Sequence, residues 1–331
     1  MNLQAISELA ELADYSFAFS IRAVAAIGVA DYLCDGPRDI DYLAQQTNCS
    51  RHGLVRVMRA LVTKSVFIED PPEVFSLAPL GDLLRTDHPL SMRWFFRLEP
   101  DVRAMAGMEY SIRTGQPSFN HLFGMDYFDW LAANDTERER FRESQRALNR
   151  LELLAIRRSY PWQDYSSIVD VGGNDGSLLA ALLERHPSLR GTLFDLPETV
   201  SEAAETFEQA GVAERTTIVA GNVFDGGIPT GADLYIIKRV LVGFSDEEAS
   251  IALSNVRNSM APHSRLLIME PMRNDTDQVG VSLDLRMLVL GLGRVRTVDE
   301  FTALVANAGL VSRDSRNAGL LTFIETSRAD G

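Results

Sequence analysis

The period of apolar positions changes along this chain, and the changes divide it. Through the first hundred or so residues the period is helical. Leu9, Leu12, Ala13 and Phe17 share one helical face, and residues 23–33 continue apolar. Residues 40–46 predict a short helix. Ser50 stands as an N-cap before residues 53–64, where Leu54, Val57, Met58 and Leu61 make the stripe to be buried. Residues 66–68 and 74–77 read as two short strands around the turn Asp70, Pro71, Pro72. Helix, helix and two-stranded wing is the order of a winged helix. Residues 91–160 are helical and amphipathic, and 134–158 form one long pattern with Phe141, Leu148, Leu151, Leu154 and Ala155 on its apolar side.

From residue 167 the texture becomes strand, helix, strand. Strands are predicted at 168–171, 191–195, 216–219, 234–238 and 265–269. Helices are predicted at 177–186, 198–210, 246–260 with Ser245 as N-cap, and 297–308. Two last strands, 311–313 and 320–325, flank Asn317, Ala318 and Gly319. Strands alternating with helices imply an α/β class with a parallel, doubly wound sheet. The final hairpin implies one antiparallel strand. Three parts are expected: 1–100, 101–160 as a helical linker and pocket wall, and 161–331.

Composition narrows the classes of function. The chain has 331 residues, 46% hydrophobic and 24% charged, as an ordinary globular protein of two domains has. A net charge of −14 argues against nucleic acid and against an anionic membrane surface. The second helix of the winged part does carry Arg51, Arg56, Arg59 and Lys64, but as a solvated face, and dimerisation is the expected role of this part. The N-terminal stretch is amphipathic and has no basic segment before an apolar run. No membrane span is expected, because no 18 consecutive residues are apolar. Cys34 and Cys49 form no CxxC pair and read as reduced thiols of a cytoplasmic protein. The five histidines are scattered, so no metal site is expected.

The strongest local signal is IVDVGGNDGSLLAALL, residues 168–183. A strand runs into Gly172, Gly173 and Gly176 and then straight into a helix. Glycines allow the sharp turn and the close approach of a ligand. The helix start offers free N–H groups at the carboxyl end of the strand. A nicotinamide site would prefer GxGxxG, whereas this loop is GGxxG with Asp170 before it. A carboxylate repels a pyrophosphate and attracts an ammonium and a sulfonium. That favours S-adenosylmethionine. Asp195 ends the next strand, where an acid accepts the ribose hydroxyls.

Residues 170–200 resemble the cofactor region of the S-adenosylmethionine-dependent O-methyltransferases shared by plant phenolic and bacterial polyketide enzymes. GNVFDGGIP, residues 221–229, resembles the third-strand motif of that family, and residues 236–272 resemble its catalytic stretch. The N-terminal half and residues 282–310 match in order and spacing. The resemblance implies a Rossmann-like methyltransferase domain behind a mainly α-helical, winged-helix dimerisation domain. It implies that Gly172 and Gly173 wrap the methionine part and that Asp195, with Leu196 beside it, holds the ribose. Asn222 and Val223 flank the adenine, with Asn222 where the family usually has Asp. Lys238 lies near the cofactor carboxylate or ribose. The same resemblance implies a homodimer, a small aromatic or polyketide-like acceptor, and a place in secondary metabolism such as antibiotic biosynthesis.

One part of the pattern fails. Family members commonly carry His-Asp-Trp after the fourth strand, and the His takes the proton from a phenol. Val242, Gly243 and Phe244 stand there. Glu270 matches the acid that orients the His, while Val295 replaces a second acid. Glu270 is therefore the one catalytic candidate. General-base catalysis contributes roughly 3–5 kcal/mol and orientation roughly 7–11 kcal/mol, so transfer by proximity survives the loss. It does so for an easily ionised acceptor, because an ordinary phenol near pKa 10 is only about one part in a thousand ionised at pH 7. The alternative is a repurposed fold catalysing hydroxylation, decarboxylation or cyclisation with the cofactor bound. Phe141, Gln145, Phe244, Asp284 and Met287 are the acceptor-pocket candidates, with Phe128, Trp130 and Leu288 behind them.

Overall fold

The helix Arg51–Val62 organises the N-terminal part, with Ser50 accepting the Gly53 N–H at its start. The computed structural model describes residues 2–274, 278–291 and 293–330. It divides the chain into two units, Met1–Glu99 with Leu131–Leu151, and Pro100–Trp130 with Glu152–Gly331. Residues 101–160 are thus shared between the units.

In the first unit, Leu54, Met58 and Leu61 pack with Ile40, Leu43, Phe67 and Phe75. The wing has three strands, β1 (Arg38–Asp39), β2 (Phe67–Glu69) and β3 (Val74–Leu77), in the antiparallel order β1-β3-β2. β1 has only two residues, too few to leave a pattern in the sequence. The apolar run 23–33 is broken because the helix Ser16–Ile27 ends at Gly28, whose φ is +77°. A Cβ there would lie 2.6 Å from the Arg93 guanidinium. The helix Leu3–Ala13 buries none of its residues within the chain, and Leu3, Ile6, Leu9 and Leu12 are exposed. Arg51 is paired with Asp41 and Glu73, and Arg59 with Glu69. These acids offset the basic face of the helix.

The second unit holds a seven-stranded sheet. Its strands are β4 (Ser167–Val171), β5 (Arg190–Asp195), β6 (Thr216–Ala220), β7 (Leu234–Lys238), β8 (Arg265–Glu270), β9 (Leu310–Ala318) and β10 (Leu321–Arg328). The order is β6-β5-β4-β7-β8-β10-β9, with β10 antiparallel to both neighbours and β4 to β8 parallel. The central strands are apolar on both faces because both are covered. Tyr235 and Ile237 pack with Leu253 and Phe301 of the helices Asp246–Ser259 and Val298–Asn307. Leu234 and Ile236 pack on the other side with Leu179, Leu182 and Phe207 of Ser177–Arg185 and Ala203–Gln209. Strand order reverses between β4 and β7. A ligand crevice belongs there, outside the carboxyl ends of the strands.

Candidate functional site

The turn after β4 is one that only small residues can make. Gly172 has φ +74°, and a Cβ on it would lie 2.4 Å from Val240 Cγ2. On Gly173 a Cβ would fall 2.5 Å from Asp170 Oδ2. Gly176, with φ +75°, opens the helix Ser177–Arg185. The loop is tied to β5 by the Asn174 N–H, which donates to Asp195 Oδ2 at 2.8 Å. The Leu196 N–H donates to the other oxygen of Asp195 at 2.7 Å. The glycine loop and Asp195 are therefore one assembly.

Asp170 is 1% exposed, and neither of its carboxylate oxygens has a hydrogen-bond partner among the described residues. Burial pushes its pKa up to about 7, against the pull of the nearby Lys238 ammonium. Burial also raises Asp195, against the two N–H groups that it accepts. Lys238 Nζ lies 2.9 Å from Glu152 Oε2, and Arg239 binds the other oxygen of Glu152. Asn222 Oδ1 accepts the Phe224 N–H at 3.0 Å, and the Val223 carbonyl accepts Asn255 Nδ2 at 2.8 Å.

A short turn, Leu241–Gly243, follows β7. Glu270, at the end of β8, is fully buried, and its Oε1 accepts the Leu241 N–H at 2.8 Å. Burial raises its pKa to about 7, against the Leu241 and Val240 backbone N–H groups that face the carboxylate. Arg296, 1% exposed, donates to the Leu241 and Phe244 carbonyls at 2.7 Å each and to Asp246 Oδ1 at 2.8 Å. The Arg294 N–H donates to the Val242 carbonyl at 3.1 Å.

The acceptor candidates divide. Phe244 packs on Phe224 with ring centroids 4.8 Å apart, beside Asn222 and Val223 in sequence. Asp284 and Met287 share the helix Gln278–Leu290, and Met287 is buried. Asp284 Oδ1 accepts the Val295 N–H at 2.9 Å. Phe141 and Gln145 belong to the first unit, on the helix Asp135–Ile156. Among the described residues no cluster of three His, Cys, Asp or Glu side chains is arranged for a metal, and no helix is long and apolar enough to cross a membrane.

Sequence reasoning passed over Glu152 and Arg296. Glu152 is an acid on the stripe of Leu148 and Ala155, but its partner Lys238 and the partner of Arg296, Leu241, lie far away in the sequence.

The model of the O-methyltransferase domain matches residues 106–311, and that of the O-methyltransferase dimerisation domain matches 10–87. The chain is 33% identical to the phenazine O-methyltransferase of Lysobacter antibioticus over 311 residues, 92% of this chain and 91% of the relative. It is 32% identical to the aclacinomycin 10-hydroxylase of Streptomyces purpurascens over 316 residues, 92% of this chain and 84% of that one. Among solved structures, the SAH-bound form of CalO1, a methyltransferase in calicheamicin biosynthesis, superposes with a TM-score of 0.89 at 28% identity, covering 99% of both chains.

Proposed function

Since the chain belongs to the S-adenosylmethionine-dependent O-methyltransferases, we propose that it methylates a hydroxyl, or an amine, of a small aromatic or polyketide-like natural product without a protein base. The observation that carries the cofactor site is Asp170. A buried carboxylate with no hydrogen-bond partner, beside two glycines whose Cβ atoms would collide with their surroundings, suits the ammonium of a methionine moiety. S-adenosylmethionine, when bound, supplies an electrophilic methyl group on a sulfonium.

The chain's own residues hold and orient. Gly172 and Gly173 let the backbone approach. Asp195 keeps oxygen lone pairs for ribose hydroxyls beyond the two N–H groups it accepts. Leu196 is exposed beside it. Asn222 and Val223 flank the adenine, and the Phe224–Phe244 pair extends that side. Lys238 acts here through its charge near Asp170, while its ammonium is anchored by Glu152.

On the acceptor side, Phe244, Asp284 and Met287 shape the site. Glu270 faces the backbone of Leu241, which speaks for a structural role. A phenol acidified by a neighbouring carbonyl, an enol or an amine then needs no general base. The phenazine O-methyltransferase among the relatives fits such an aromatic acceptor. The hydroxylase among them favours a second reading, in which the fold converts a polyketide-like substrate with the cofactor bound but not consumed.

The exposed apolar side of Leu3–Ala13 and the dimerisation-domain match support a homodimer. Cys34 and Cys49 as free thiols fit a cytoplasmic enzyme. Incubation with S-adenosylmethionine labelled in its methyl group and a panel of hydroxyaromatic acceptors tests the function. A labelled product supports methyl transfer; an unlabelled, cofactor-dependent product supports the second reading.

A further inference from the structure

We propose that Arg296 is a positioning residue of the reaction, holding residues 241–244 in the one shape that lets an acceptor meet the methyl group. The inference rests on the methyl-transfer reading above. By the family resemblance the turn lies where a base is usual, yet Val242, Gly243 and Phe244 have no group that takes a proton. Its contribution to the rate is then shape alone, and shape acts only if it is kept.

The structure keeps it from several sides. Leu241 is gripped at both peptide groups, its N–H by Glu270 and its carbonyl by Arg296. Arg296 also holds the Phe244 carbonyl, so one guanidinium spans the turn with two 2.7 Å bonds. The Val242 carbonyl between them accepts the Arg294 N–H. Gly293 closes against the same stretch, since a Cβ on it would lie 2.4 Å from the Val242 oxygen.

The guanidinium itself is fixed. It lies 5.6 Å from the centre of the Phe301 ring, and its Nε donates to Asp246 at the start of the helix Asp246–Ser259. Asp246 has a side chain 60% exposed, whereas the bond to the Leu241 carbonyl is buried and that to the Phe244 carbonyl partly so. A bond from a charged donor is stronger than a neutral one and is screened much less when buried. The planar fork matters too. Lysine keeps the charge but cannot direct separate donors at two carbonyls and a carboxylate.

Full-length Arg296→Lys and Arg296→Ala test this with three readouts. S-adenosylhomocysteine affinity, by calorimetry, is expected to fall far less than kcat, by no more than about tenfold, because Arg296 reaches the adenine side only through Phe244. Hydrogen exchange in the peptide 239–246 is expected to quicken by at least about tenfold. Acceptor turnover is expected to fall by about a hundredfold in kcat, with a smaller change in KM. Millimolar guanidinium should restore turnover and slow exchange in Arg296→Ala, and urea at the same concentration should not. Unchanged exchange in Arg296→Lys, or a loosened turn with undiminished kcat, overturns the proposal. So does a folded Arg296→Ala that guanidinium fails to rescue. If Arg296→Ala does not fold, Arg296→Lys decides. A wild-type protein that binds S-adenosylhomocysteine and methylates nothing overturns the function above, whereas the exchange measurement judges the clamp separately.

Discussion

Glu270 Oε1 accepts the backbone N–H of Leu241 at 2.8 Å, and the carboxylate is wholly buried in doing so. This acid is bonded to the turn Leu241–Gly243, which carries no histidine. Its job is therefore met by an oxygen acceptor of the same shape. Glu270→Gln should keep turnover within about threefold, where loss of a general base would reduce it by about 10²–10⁴. Steady-state kcat at saturating cofactor decides. A hundredfold fall with cofactor affinity intact would make Glu270 the base.

The same residue carries a stability prediction. Burial raises its pKa to about 7, above the ordinary value of 4.5. The folded state binds this proton more tightly than the unfolded chain. Stability from this group is thus complete below pH 4.5 and is lost as pH rises through about 7. Glu270→Gln does not titrate. Relative to wild type, its Tm should improve between pH 5 and pH 8, whatever fixed cost the amide adds. A difference independent of pH would refute the buried-charge account.

Asp170 predicts how cofactor binding responds to pH. Its pKa stands at about 7 through burial, and the ionised form is the one that attracts an ammonium. Binding should strengthen as pH rises from 6 to 8 and release a proton in that window. Calorimetry in buffers of different ionisation heat measures the release. Asp170→Asn should bind more weakly at pH 8 and lose the pH dependence.

Asp195→Ala removes the acceptor that ties Asn174 and Leu196 together and meets the ribose. Bonds to a charged group contribute about 1.5–3 kcal/mol, so S-adenosylhomocysteine affinity should fall by about 10–150-fold. Unchanged affinity by calorimetry would remove Asp195 from the site.

What could be read from the sequence was what neighbours in sequence decide. The glycine loop is a strand, a turn and a helix start within ten or so residues, so its residues already state its shape. The strand β7 was read residue for residue at 234–238, because its apolar run ends sharply at Lys238. Asp246–Ser259 was legible from Ser245, whose capping box with Glu248 forms as such spacing allows. What distance decides was not legible. Glu152 meets Lys238 from 86 positions away, and Arg296 reaches Leu241 across 55. The helical texture of 91–133 hid its breaks as well. Gly115 and Gly124 end their helices in the left-handed region, which a period of apolar positions does not report.

The last prediction separates proximity from base catalysis. If no protein group takes the proton, only the ionised acceptor reacts, and the pH profile of kcat at saturating cofactor follows the acceptor's own pKa. Two acceptors of different acidity should then show limbs displaced by the difference in their pKa values. A protein base would instead hold the limb in one place for both. Saturating cofactor matters, since Asp170 with a pKa of about 7 otherwise adds a limb of its own through binding. Val242→His supplies the control. It puts an imidazole, with an ordinary pKa of about 6.5, on the turn that the buried Glu270 already holds at Leu241. In that variant the limb should move to one value shared by both acceptors, and the weaker acid should gain more in rate. A wild-type limb that ignores the acceptor would show that a base exists in this site and that proximity alone is not the mechanism.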